Sequence, residues 1–398
     1  MPLRLSFIGL FLALALPAGA DQAALVARGA YLAEQGDCAA CHTRPGGQPF
    51  AGGYPLHAWI GAVYSSNITP DRKTGIGNWT RDDFYRALHE GLTPEGKRLY
   101  PAFPYPYFTK LSWSDSDALL AYLQTIKPVR YRPPANRLIV GTGFRPLLWF
   151  WNLLFLDRTP LKPDPTKSAQ WNRGNELVNG IAHCGGCHTP KNVLFAEKKD
   201  RPLKGDFIDG WFASDLTQTA RGGLKSWSEE DIKQFLKTGA NRYTRVVGSM
   251  QDVIRLSTSR MHDTDIAAIA AYLKSLPGSA TPPPQSPNPK QMSHGAAVFV
   301  QECAACHAAP GNDYPKFGGN TIVVARNPAT VIRVILRGAQ AVVVPGQPPG
   351  FSMPAFAMLT DQQAADVATY IRNSWGNRAS AVSAKEVAHL RNLITPRD

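Results

Sequence analysis

Apolar positions recur with a helical period in three stretches of the chain that end alike. SDALLAYLQTI (116–126), TDIAAIAAYLKSL (264–276) and TDQQAADVATYIRNSW (360–375) each carry an apolar stripe with a tyrosine near its end: Tyr122, Tyr272 and Tyr370. That period predicts three amphipathic helices. Upstream of each, RGAYLAEQGD (28–37), RGNELVNGIAH (173–183) and HGAAVFVQE (294–302) predict further helices, and each runs into a pair of cysteines. Between these ends, NWTRDDFYRAL (78–88) and SWSEEDIKQFL (226–236) put Thr80 and Ser228 after a tryptophan and before acidic residues. A hydroxyl at the N-cap and acids in the first turn favour a helix start there. The order helix, cysteine cluster, loop, short helix, loop, amphipathic helix thus occurs twice in full. A third copy is shorter and has the same ends, so the chain reads as an internal repeat.

Four stretches fall outside the repeat. At the start, Arg4, the apolar run Leu5 to Leu16 and the small residues PAGA (17–20) read as a signal peptide cleaved before Asp21. Its twelve apolar residues fall short of the ~20 that span a bilayer, so the mature chain is expected outside the cytoplasm, on the periplasmic face of a bacterial inner membrane. RPLLWFWNLLFL (145–156) is dense in apolar and aromatic residues, yet also too short to span; it either packs between repeats or docks onto a membrane or partner. TPPPQSPNPK (281–290) reads as an extended tether. In SAKEVAHLRNLI (383–394), Ser383 and Glu386 form a capping box that predicts a last helix. The expected segmentation is a signal at 1–20, domains at 21–128, 169–278 and 291–376, linkers at 129–168 (with the apolar docking segment) and 279–290, and a tail helix in 377–398. The fold class is mainly α: three tandem small domains joined by Pro-rich linkers.

Composition narrows the function. With 44% hydrophobic and 18% charged residues the chain is no disordered polymer. A net charge of +13 would suit nucleic acid, but the basic residues are scattered and export argues against that partner. The same charge outside the membrane suits anionic lipid head groups or an acidic protein.

All six cysteines sit in GDCAACHT (36–43), HCGGCHT (183–189) and ECAACHA (302–308), each pair followed by histidine. A disulfide or thioredoxin-like redox pair needs the cysteines and gives no reason for the histidine. Zinc sites usually join two such half-sites, whereas these clusters lie in separate repeats. Covalent haem c needs all three residues: two thiols add to the porphyrin vinyl groups and the next histidine ligates the iron. With nine histidines in 398 residues, finding one after all three pairs by chance is on the order of one in 10⁵. Three covalently bound haem c groups are therefore expected, on Cys38, Cys41 and His42, on Cys184, Cys187 and His188, and on Cys303, Cys306 and His307. Each domain is then a small class I-like cytochrome c.

The opposite axial position separates electron transfer from chemistry, and a methionine there closes the site and raises the potential. Met353, in GFSMPAFAMLTD (350–361), is the expected ligand of the third iron, with Met358 nearer the helix and assigned to the core. Met250, in VVGSMQDV (246–253), is the expected ligand of the second, with Met261 the structural alternative. The first repeat has no methionine; LYPAFPYPYFTKL (99–111) puts Phe103 at the expected place. His89 and His57 are the imidazoles left in that repeat, so the first iron has one of them, another ligand, or none.

The three clusters, together with NITPDRKTGIGNWT (67–80), LYPAFPYP (99–106), WNRGNELVNGIAHCGGCHTPKN (171–192) and SMPAFAMLTDQQAADVATYIRNSWGN (352–377), resemble the three-haem cytochrome c subunits of membrane-bound bacterial dehydrogenases for alcohols, aldehydes, gluconate and related sugars. The resemblance implies a catalytic large subunit holding flavin, pyrroloquinoline quinone or molybdenum, in some cases with a small subunit, and electron delivery to ubiquinone at the membrane surface. It implies no catalytic residue in this chain. Many relatives read PAMPY where this chain has Phe103, and the PAF form leans toward subunits of molybdenum-type dehydrogenases. A stand-alone haem enzyme of peroxidase or reductase type, using an open first haem, is the competing expectation.

Overall fold

The computed structural model describes residues 18–58, 61–139, 143–308, 314–344 and 352–394. The expected leader lies outside them except for residues 18–20, and the expected cleavage point before Asp21 falls within the first helix. The first set of elements is α1 (Ala18–Gln35), α2 (Cys38–His42), strands β1 (Pro55–Ala58) and β2 (Gly61–Tyr64), α3 (Arg81–Glu90), α4 (Tyr105–Phe108) and α5 (Trp113–Leu123). A connector follows with β3 (Arg137–Leu138), which pairs antiparallel to β2, and α6 (Leu147–Phe155). The second set is α7 (Ala169–Asn179), α8 (Gly185–His188), the β4 (Asp206–Ile208) and β5 (Trp211–Ala213) hairpin, α9 (Glu229–Thr238), α10 (Met250–Val253), a π turn over Ile254–Thr258, and α11 (Asp263–Ser275). Residues 277–288 carry neither helix nor strand. The third set is α12 (Pro289–Glu302), α13 (Ala304–His307), α14 (Ala329–Arg337), α15 (Asp361–Asn373) and the closing α16 (Ala384–Ile394).

The caps form as the sequence predicts. Thr80 and Asp83 exchange hydrogen bonds as a capping box at the start of α3, and Ser228 with Asp231 does the same for α9. Ser383 and Glu386 cap α16, whose Val387, Leu390 and Ile394 are buried, so the tail helix completes a core. The short hairpins are an addition to the expected helices. Strands of three or four residues are too short to show alternation in sequence.

One contact organises all three sets. Helices α1 and α5, α7 and α11, and α12 and α15 cross at Gly29, Gly174 and Gly295. A Cβ at these glycines would run into the carbonyl oxygens of Ala118, Ala268 and Asp366, and would press on Tyr122, Tyr272 and Tyr370. The tyrosines that end each amphipathic helix thus lie over the glycine crossing. The residue before each glycine pairs with the opposite helix: Arg28 Nε donates to Asp115 at 3.0 Å and Arg173 Nε to Asp265 at 2.8 Å, while His294 stands 3.8 Å from Asp366.

The first two sets share one continuous core, including Leu32, Leu119, Leu177, Ile254 and Ile266. The third has its own, built on Phe299, Ile332, Val367 and Leu390, into which Phe212 of β5 inserts. Phe212 also exchanges hydrogen bonds with Thr330 of α14, tying the second set to the third.

Candidate haem attachment sites

Helix α2 holds Cys38, Cys41 and His42 within one turn, and Cys187 with His188 and Cys306 with His307 close α8 and α13 in the same way. None of the six thiols is in a disulfide. Among the described residues no three His, Cys, Asp or Glu side chains converge as a protein-only metal site.

The histidines show what the turns are built for. His42 Nδ1 lies 2.7 Å from the carbonyl oxygen of Ser66, and His188 Nδ1 lies 2.7 Å from that of Ser214. A carbonyl can only accept, so Nδ1 carries the proton and Nε2 keeps its lone pair, the state an iron ligand requires. Burial holds both imidazoles below the ordinary histidine range and so keeps them neutral. His307 is different. Its Nδ1 is buried with no hydrogen-bond partner among the described residues, and its ring leans on Phe317 at 4.7 Å.

A cavity of about 2230 Å³ opens beside the first motif, lined by Cys38, Cys41, His42 and Phe103, and it reaches Cys187 and Tyr107. Sites for drug-sized ligands span roughly 300–1,000 Å³, so this one accommodates a group of porphyrin size. Free thiols on one turn, a neutral imidazole of fixed tautomer and a large adjoining space fit covalent haem c.

The first two motifs lie side by side. His183 Nε2 bonds the carbonyl of Gly36 at 3.2 Å, so the residue before Cys184 touches the residue two before Cys38. Tyr107 lies against Gly185, and its hydroxyl donates to Glu197 at 2.5 Å. Lys191 Nζ donates to the carbonyl of Gly186 at 2.6 Å. The CGGC glycines leave room for Tyr107, a contact sequence reasoning missed. It also missed the carbonyls of Ser66 and Ser214, although a signal existed in the repeated SNIT (66–69) and SDLT (214–217). In both, the Asn67 or Asp215 side chain accepts from the Thr69 or Thr217 amide and shapes the loop.

The expected distal residues are placed unevenly. Met250 opens α10, half-buried against the first core, while Met261 is almost fully enclosed and structural. Met353 is half-buried and exchanges both backbone hydrogen bonds with Ala339, at 2.7 and 3.0 Å. Met358 corrects the expectation of a core residue: it is 73% exposed, because Phe356 and Leu359 supply that loop's core contacts. The two spare histidines separate. His57 is exposed on β1 and lines the cavity with His42. His89 is buried, stacked on Tyr85 at 3.8 Å with no partner for Nε2 among the described residues, and burial with the nearby Arg158 charge lowers its pKa to about 4.

The motif turns and the glycine helix crossings define a c-type cytochrome, an electron-transfer class. A Cytochrome c family model matches residues 26–127 and 292–375. The stretch between them holds the CGGCH turn in the same helix order. The chain is 41% identical to the gluconate 2-dehydrogenase cytochrome c subunit of Pantoea cypripedii, over 93% of this chain and 91% of that protein. It is 36% identical to the alcohol dehydrogenase (quinone) cytochrome c subunit of Gluconobacter oxydans (95% and 84% covered). It is also 36% identical to the fructose dehydrogenase cytochrome subunit of Gluconobacter japonicus (92% and 82%). The chain belongs to this family of dehydrogenase cytochrome c subunits.

Proposed function

We propose that the chain is a three-haem relay, taking electrons from a catalytic dehydrogenase subunit and delivering them to ubiquinone at the periplasmic face of the inner membrane. The observation that carries this reading is the hydrogen bond between His183 and Gly36, which sets two motif turns side by side over one shared core. A bound haem c supplies a one-electron couple at each turn. The chain's own residues do the rest. Cys38 and Cys41, Cys184 and Cys187, and Cys303 and Cys306 form the thioether links. His42, His188 and His307 present the proximal nitrogen. Tyr107 packs against Gly185 of the second turn and its hydroxyl donates to Glu197. Met250 and Met353 are the sixth ligands in the second and third domains, with domain boundaries at 21–128, 169–278 and 291–376, an exported mature chain and Pro-rich linkers between domains.

In the first domain His57 is favoured over His89 by its place on the cavity wall. The relatives are named as cytochrome subunits of gluconate, alcohol and fructose dehydrogenases, so a CH–OH donor is the proposed substrate class of the partner. Mass spectrometry of the mature chain is expected to show three haem additions; two or none overturns the relay. A second reading, a haem enzyme with an open first site, is favoured by Phe103. Carbon monoxide separates them: the relay binds little when reduced, and Met250→Ala and Met353→Ala each add one binding equivalent. Uptake of a full equivalent by the parent chain supports the enzyme instead.

A further inference from the structure

Helix α6 is built inside out. Of its nine residues only Asn152 is polar, and that side chain is turned into the protein, 8% exposed. Its Oδ1 accepts from Tyr105 Oη at 2.6 Å and its Nδ2 donates to the carbonyl of Glu90 at 3.1 Å. Trp151 Nε1 donates to the carbonyl of Leu194 at 2.8 Å. The polar groups therefore pin the helix down, while Trp149, Phe150, Leu153 and Leu154 face outward, Leu153 at 67% exposed. At the Trp151 anchor, Val193 and Leu194 are exposed as well, and border the large cavity. A helix that only packed between repeats would turn these side chains inward. Uncovered apolar surface on this scale marks a docking face.

We propose that this face lies in the interfacial layer of an anionic bilayer. At ~13 Å (nine residues at 1.5 Å each) the helix cannot cross, and among the described residues no helix is long and apolar enough to do so. It can lie in the plane, with its aromatic and leucine side chains among the acyl chains. Charge selects lipid over a second apolar protein face. Lys162 follows the helix and the exposed Lys198 and Lys199 follow the Val193–Leu194 edge, against Asp157 and Asp200, while Arg158 stands 3.8 Å from Glu90 and Arg145 turns back to the carbonyl of Arg98. The exposed lysines Lys162, Lys198 and Lys199 outnumber the neighbouring Asp157 and Asp200, and the chain as a whole carries +13, a balance that favours anionic lipid phosphates. The inner residues Leu148, Trp151 and Phe155 line the large cavity that also holds His42, so the docked face is the outer wall of the first haem site. The inference rests on the membrane location proposed above and assigns the segment that makes it.

The test uses the haem-loaded full chain with phosphatidylglycerol-containing and purely zwitterionic vesicles. Phe150→Ser, Leu153→Ser and Leu154→Ser are combined, all outward positions away from the cavity lining. The parent is expected to bind the anionic vesicles, less tightly at high salt. The triple variant is expected to lose about a hundredfold or more in vesicle affinity. Its haem spectrum, its reduction by dithionite and its co-purification with the catalytic subunit should stay unchanged. Vesicle binding equal to the parent's overturns the proposal. So does loss of the catalytic subunit with vesicle binding retained, which would make this face a protein interface. Failure of the relay itself shows differently, as missing haem additions or as no electron transfer to a soluble quinone by a complex that still binds lipid.

Discussion

His42 and His188 each give the Nδ1 proton to a backbone carbonyl at 2.7 Å, whereas buried His307 Nδ1 has no such partner among the described residues and its ring is held by Phe317. The same division runs through the helix crossings. Arginine pairs with aspartate in the first two sets, and histidine stands 3.8 Å from aspartate in the third. The first two sets also share a core and a carboxylate: Asp265 accepts from Tyr31 and Gln35 of α1 as well as from Arg173 of α7. The third has a core of its own. The first two sets are thus joined to each other through a shared carboxylate and core, whereas the third is braced within its own core, where buried Arg372 donates to the carbonyls of Val323 and Ala325. The copies share the glycine helix crossing and the cysteine turn and differ in what surrounds them.

Substitutions sharpen that contrast in graded order. Asp265→Ala removes the acceptor of three donors on two helices, Gln35 buried and Tyr31 and Arg173 part-buried, and should cost about 2–4 kcal/mol. Calorimetry should show the first two sets melting earlier with the third unmoved; an equal fall in all three would break the comparison. Burial raises the pKa of Asp265, but hydrogen bonds from Arg173 and Tyr31 outweigh it and hold it below the usual 3.8. Its stabilising effect is thus present above that value and fades as pH falls through the lower folded pKa, which acid melts of parent and variant would reveal.

Gly295→Ala should come next, at about 1–3 kcal/mol, because the added Cβ meets the backbone carbonyl of Asp366. Here the third set alone should melt early, and Gly174→Ala should match it in the second. Smaller still is Arg28→Ala, about 1 kcal/mol, since Arg28 is half-exposed although its partner Asp115 is buried. His294→Ala should change stability by less than about 0.5 kcal/mol by urea titration. A His294 effect as large as that of Arg28 would erase the difference between the copies.

Much of the fold is legible in the amino-acid sequence alone. Thr80, Ser228 and Ser383 announce their helices because a cap is satisfied within three residues, and the cysteine turns because one helical turn contains the motif. Met358 misleads for the converse reason. Its place near an amphipathic helix says nothing of Phe356 and Leu359 filling the core first. His57 and His89 are equivalent as letters, and only the fold puts one on the cavity wall and buries the other against Tyr85.

The sequence by itself determined the three cysteine-histidine turns, the helices that flank them and the tyrosine near the end of each closing helix, because period, cap and turn act over a few neighbouring residues. Only the tertiary structure decided which carbonyl orients each histidine, which copies share Asp265, and that α6 turns Asn152 inward and its leucines out. Those outcomes depend on groups some tens to more than two hundred positions away, such as Ser66 for His42 and Tyr31 for Asp265, which no local pattern encodes.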